Sequence, residues 1–205
     1  SMIVMAVGQG VFNKILVHIS VNTVAAYQVA GRLDMLVFLP IFSIAASLTT
    51  LVGMFYGAKE YGALRYIIKY GIFSALLITI ISSIIVYTFA GNVVRFFTDD
   101  ASIVVIAVNF LQIFAFAYPF IAVGITTGRV LQGLGKGLPV LIITIVRVLG
   151  VSAPLALFFV FIMDKTVEWV WYSMILSTIV AFGIGLTWLV STLKTLPASR
   201  QSLNN

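Results

Sequence analysis

The stretch Met35–Ala58, MLVFLPIFSIAASLTTLVGMFYGA, contains no charged residue. A helix needs roughly 20 consecutive apolar residues to cross the hydrocarbon core of a bilayer, and this one stretch meets that requirement. Gly71–Val94 and Ala101–Gly128 are also free of charge, and Leu138–Met163 is interrupted only by Arg147 until its end. Four such stretches describe a chain whose solvent is largely lipid. With 61% of residues hydrophobic and 9% charged, and a mean hydropathy of +1.16, too little polar surface remains to cover a water-soluble globule. The reading is therefore an all-α, polytopic transmembrane helical bundle. Its six spans fall near residues 1–20, 24–57, 70–96, 101–128, 138–163 and 167–193.

An even number of spans puts both termini on one side of the membrane. The connections facing that side hold Lys59, Arg65 and Lys69, then Arg129 and Lys136, and the tail over 194–205 holds Lys194 and Arg200. The opposite side has Arg95 and Lys165 with Asp99, Asp100, Asp164 and Glu168 nearby. Lys and Arg in short loops favour the cytoplasm, so the expectation is a multi-pass protein of the cell membrane with both ends cytoplasmic. Trp169, Trp171 and Tyr172 at one end, and Tyr56, Tyr61, Tyr66 and Tyr70 at the other, fit an interfacial aromatic belt or ordinary packing. The chain opens at Ser1, and its first span carries Asn13, Lys14 and His18. The expectation is a single transmembrane lobe, 1–205, whose first span lacks its beginning.

Several function classes find no support. There is no cysteine and one histidine, so thiolate sites and histidine metal clusters are absent from the sequence, and no cofactor is expected. Gly133-Leu134-Gly135-Lys136-Gly137 lacks the hydroxyl residue and spacing of a phosphate-binding loop. Neither ATP-driven nor hydrolytic chemistry, and hence no enzyme, is read here. A net charge of +6 and a pI near 9.7 raise nucleic acid as a partner, but the basic residues sit in short connections rather than on one soluble face. Membrane lipid is the expected surrounding and nucleic acid is not.

Charges within spans carry the functional argument. Insertion into lipid costs roughly 2.5–3.5 kcal/mol for one Arg, Lys or Asp near a helix centre, so Lys14, Arg32, Asp34 and Arg147 should face protein or water. Arg32 and Asp34, two residues apart, point to different sides of a helix and do not pair directly. Two readings remain open: an internal ion pair such as Asp34 with Lys14 or Arg147 that fixes packing, or a role in handling substrate or a coupling cation. Asp34 is the sharpest candidate, as the one carboxylate well inside a span. Tyr27, Gln28, Gln112 and Tyr118 are candidates to contact a flat cationic ligand, with ordinary packing as the alternative. Pro40, Pro119 and Pro154 each remove a backbone hydrogen bond within an apolar span and are the hinge candidates. Gly53–Gly57 and Gly124–Gly128 have the GxxxG spacing that permits close helix approach.

The run VAAYQVAGRLD (Val24–Asp34), followed by Phe38-Leu39-Pro40, Leu51-Val52-Gly53 and Gly57-Ala58-Lys59, resembles the eighth helix and following loop of multidrug and toxic compound extrusion (MATE) transporters. LQGLGKGLP (Leu131–Pro139), then Arg147 and Pro154, is similar to that family's loop and helix eleven. The resemblance covers nearly the whole chain in order and makes it the C-terminal six-helix lobe of a two-lobed transporter, starting within helix seven. It implies antiport of organic, often cationic, drugs or toxic compounds against sodium ions or protons. The implied partner is an N-terminal six-helix lobe of the same protein, or a second copy. Arg32 and Asp34 match the family's Arg-hydrophobic-acid pattern. Helices seven and ten lack the carboxylate that some members use, which leaves the coupling site to the other lobe as an alternative. Two other functions remain: a lipid-linked saccharide flippase of the same superfamily, for which Arg32, Lys14 and Arg147 could hold a pyrophosphate, and a non-transporting membrane scaffold or truncated product.

Overall fold

The computed structural model describes residues 2–197; Ser1 and the tail from 198, including Arg200, lie outside them. Among the described residues the chain is helical throughout: α1 (Met2–Ile19), α2 (Val21–Gly57), α3 (Tyr61–Arg95), α4 (Ala101–Ala115), α5 (Tyr118–Gly133), α6 (Gly137–Ile145), α7 (Ala153–Leu157) and α8 (Val167–Lys194). Two π-helical stretches, Val146–Ser152 and Phe158–Ile162, merge α6 and α7 into one apolar rod, Gly137–Ile162. That rod, α2, α3 and α8 are each long and apolar enough to cross a membrane, and α4 with α5 form a fifth unit bent by 60°. The shorter apolar α1 completes the set in the expected order.

Where the helices begin follows from local chemistry. Ser20 adopts an extended backbone and its hydroxyl accepts from the Thr23 amide at 3.1 Å, so α2 starts three residues before the apolar run suggests. Asp100 caps α4, with Oδ1 accepting from the amides of Ser102 at 2.9 Å and Ile103 at 3.4 Å. The expected start of the third span near residue 70 is too late. α3 begins at Tyr61 and carries Arg65 and Lys69 on its first turns, because hydropathy marks only the part of a helix in lipid. With 37 and 35 residues, α2 and α3 extend over about 50–55 Å at 1.5 Å per residue, well beyond a core of about 30 Å.

The expected continuous fourth span, 101–128, is also corrected: it breaks at Phe116–Ala117, ahead of Pro119 in the first turn of α5. Proline is at home there, since its missing N–H has no partner in a first turn. Pro40, by contrast, lies inside an unbroken α2, and Pro154 is the second residue of α7, just past the first π-helical stretch.

α2 is the central post, packed against α3, α4 and α5, while α8 packs on α5 and the π-helical rod. At one end Leu48, Val52, Leu64, Leu131, Leu134 and Leu189 form a compact apolar cluster. Gly133 makes this possible: a β-carbon there would lie 2.7 Å from the Thr49 carbonyl oxygen, so α2 and α5 meet backbone to backbone. Gly135, with φ +76°, turns the chain between α5 and α6. Arg65 donates to the carbonyls of Leu193 at 3.3 Å and Leu196 at 3.2 Å, and Lys136 Nζ donates to Thr192 Oγ1 at 3.3 Å. The three basic connections thus gather at one end of the bundle. Away from the core, Phe73, Leu77, Ile81, Ile84 and Ile85 of α3 are exposed, as a lipid-facing helix requires.

Candidate functional site

Tyr27, Asp34, Phe38 and Ile41 recur at helical spacing along one face of α2, and this face meets the break between α4 and α5. The Tyr118 hydroxyl donates to Asp34 Oδ1 at 2.5 Å, across the two helices. Tyr118 is fully buried and stands edge-on to Phe38, with ring centroids 5.3 Å apart. One turn and more toward the start of α2, Tyr27 stacks on Trp171 of α8 at 5.8 Å and meets Phe110 edge-on at 5.7 Å. Phe110 in turn packs on Trp171 at 4.8 Å and on Phe114 at 4.3 Å. Phe110 and Phe114 are four residues apart in α4 and so share the face turned toward α2. The carboxylate is therefore held by one hydroxyl at the edge of a packed aromatic cluster.

Arg147 occupies a different setting. It lies on the first π-helical stretch, where the wider turn displaces side chains from α-helical register. It borders two adjoining cavities of about 300 Å³ and 320 Å³, which share Met5, Ile121, Arg147 and Thr178. One runs between α5, α6 and α8, past Thr127 and Phe120, to Arg129 and Gln132, which hydrogen-bond at 3.2 Å. The other reaches Gln9 and Tyr27. α1 closes against this region through Gly8, where a β-carbon would overlap the Val148 side chain.

The structure brings Asp34 together with Tyr118, and Tyr27 together with Arg147. It leaves Lys14, Gln28 and Arg32 exposed on the outside of the lobe, and Gln112 half-buried on α4. Asp34 bonds Tyr118, not Lys14 or Arg147, among the described residues. Arg32 is turned away from Asp34, as their spacing requires. Of the glycine pairs, Gly53 lies near Gly133 in the α2–α5 contact, whereas Gly57 and Gly124 face open space; Gly124 and Gly128 line a cavity. Residues not among the site candidates read from the sequence are Phe38, Phe110 and Trp171 in the aromatic cluster and Thr127, Arg129 and Phe120 lining the cavity. The Phe110–Phe114 spacing was a usable signal for the first group. The second group had none, because α5, α6 and α8 meet only in three dimensions.

Comparison with known proteins adds an independent line. A family model described as MatE matches residues 1–158. The chain is 27% identical over 188 residues to a probable multidrug resistance protein NorM of Thermotoga maritima, covering 92% of this chain and 40% of that protein. It is 29% identical over 171 residues to a probable NorM of Bacillus cereus, covering 81% and 36%. Among solved structures, it superposes with TM-score 0.87 and 26% identity on a MOP superfamily transporter from Pyrococcus furiosus, over 95% of this chain and 44% of that one. That transporter is described as having a binding pocket of reverse polarity, suggestive of a different function. The chain spans less than half the length of each of these proteins.

Proposed function

The chain belongs to the MATE family of transporters, and from that premise we propose that it forms one lobe of a two-lobed secondary transporter. The complete transporter exports small organic molecules in exchange for an inward flow of protons or sodium ions. Its other half is an N-terminal six-helix lobe of the same protein or a second copy of this one. Both ends of the lobe and its basic connections face the cytoplasm, in keeping with the Lys and Arg bias of short loops.

The observation that carries this reading is the Tyr118–Asp34 hydrogen bond beside the α4–α5 break. Asp34, when ionised, accepts from Tyr118; a proton or a sodium ion arriving at the carboxylate competes for that same oxygen. Tyr118 is the first residue of α5 and precedes Pro119, so the charge state of Asp34 is tied to the geometry of a bend. Alternating access requires such a coupling between the occupied state of a site and the tilt of helices around it. Loading Asp34 loosens the α2–α5 link and lets the lobe rock; unloading restores it.

The test uses the longest natural reading frame containing this chain, expressed in cells stripped of their own efflux pumps, with export of a fluorescent organic dye as readout. Export that stops when the proton or sodium gradient is collapsed is the expected result. Asp34→Asn should abolish the dependence of export on external pH or sodium while the protein remains in the membrane. A variant with unaltered pH and sodium dependence sinks the role given to Asp34.

A further inference from the structure

The two charges inside the lobe differ in what they leave available. Asp34 is engaged by Tyr118 and borders neither cavity. The charged residues that do border the cavities are Arg147, common to both, and Arg129 at the far end of one; among the described residues no carboxylate lines either. Arg129 is hydrogen-bonded to Gln132, whereas Arg147 has no hydrogen-bond partner among the described residues. The Thr127 hydroxyl, lining the same cavity, is also unpartnered among the described residues. A guanidinium away from bulk water carries a large desolvation cost that an opposite charge with hydrogen-bond acceptors removes. Its planar fork of donors fits a carboxylate or a phosphate. The cavity lining also includes Phe120 and Phe182, edge-to-face at 5.4 Å.

We infer that this interior binds the anionic group, phosphate or carboxylate, of an amphiphilic organic molecule, with Arg147 as counter-ion and Phe120 and Phe182 as the bed for its apolar part. The inference rests on the transporter reading and turns its cargo from the expected organic cation to an organic anion. The anionic group can come from a membrane lipid headgroup or from a water-soluble compound, since the chemistry that meets Arg147 is the same.

The test is equilibrium binding, with no gradient, to the full-length protein in lipid nanodiscs. The probes are 4-methylumbelliferyl phosphate, an acyl lysophosphatidic acid, and tetraphenylphosphonium as the cation. Both anions should bind, Arg147→Gln should weaken them by about tenfold or more, as expected for a lost charged hydrogen-bond partner, and Arg147→Lys should recover part of the loss. Tetraphenylphosphonium binding should not weaken in Arg147→Gln. Displacement of the soluble phosphate by far less lysophosphatidic acid assigns the site to a lipid headgroup; comparable potency assigns it to soluble anions, and each upholds the inference. It is overturned if neither anion binds, or if Arg147→Gln melts at the parental temperature and binds both anions as tightly as the parent. Gradient-driven dye export untouched by Arg147→Gln, with no anion binding, removes this inference and leaves the transporter reading standing. Anion binding without any gradient-dependent export does the reverse.

Discussion

Asp34 and Arg147 lie in the same bundle, one at the edge of a packed aromatic cluster and the other beside a hollow. The bilayer penalises both charges, and the fold answers the penalty differently. Around Asp34 the answer is internal: a hydroxyl from Tyr118, with Phe38 edge-on to the Tyr118 ring. Around Arg147 the described residues supply no hydrogen bond, and about 300 Å³ of space adjoins it. A satisfied group is a joint, and an unsatisfied group next to space is a receptor. On the function proposed above, the lobe separates the part that senses a small cation from the part that holds a larger molecule.

The contrast can be broken by trimming rings on the two sides. Trp171 is fully buried in the aromatic cluster, so Trp171→Ala should cost about 3–5 kcal/mol, read as reduced resistance to thermal or detergent-induced unfolding. Phe182→Ala, on the cavity wall, should cost a small fraction of that because one side of the ring has no packing to lose. Equal losses would mean that the hollow is packed in the working protein.

Next in size is the backbone contact that holds α2 to α5. Gly133→Ala should destabilise by about 1–3 kcal/mol, the range for overpacking, because its methyl group meets the Thr49 carbonyl. Gly124→Ala has open space around it and should leave the melting temperature near the parental value. Tyr118→Phe isolates the hydrogen bond from the ring. It should cost about 1–3 kcal/mol, the penalty for depriving a buried acceptor of its donor, and shift the pH dependence of export, with little effect on binding at Arg147.

The smallest effect belongs to a charge outside the membrane. Hydrogen bonds from the Ser102 hydroxyl and the Ser102 and Ile103 amides hold the Asp100 carboxyl below its ordinary range. A lowered carboxyl contributes stability above its unfolded value and loses it as pH falls through the folded one. Asp100→Ala should thus speed amide exchange at Ser102 and Ile103 at neutral pH, and the difference from the parent should shrink in acid.

Hydropathy alone located the membrane helices, because burial in lipid selects for apolar residues regardless of neighbours. It missed the α4–α5 break, since nothing in Ala101–Gly128 is charged and proline alone is ambiguous: Pro119 sits just past a break and Pro40 inside an intact helix. The two prolines differ in tertiary setting, Pro119 lying beside Tyr118, which reaches to Asp34. The start of α3 was misplaced for a related reason, because Tyr61–Lys69 is helix that carries Arg65 and Lys69, and hydropathy is silent there. Asp34, Arg147, Tyr27 and Tyr118 were legible as costly or amphipathic groups. Their division into a bonded pair and a cavity wall was not, since it depends on contacts between residues more than 80 positions apart in sequence.

The first π-helical stretch makes the length of the fifth span a form of information. An α-helix turns about 100° per residue, and a π-bulge accommodates one residue more than the α-helical repeat. Deleting one residue from Val146–Ser152 would let the rod close into a regular helix of almost unchanged polarity. The helices on either side would keep their facing, since the bulge had absorbed the extra residue, and only the side chains within the stretch would change register. Hydropathy would scarcely register the loss, yet the residues of the stretch itself, Arg147 among them, would be re-aimed relative to the hollow.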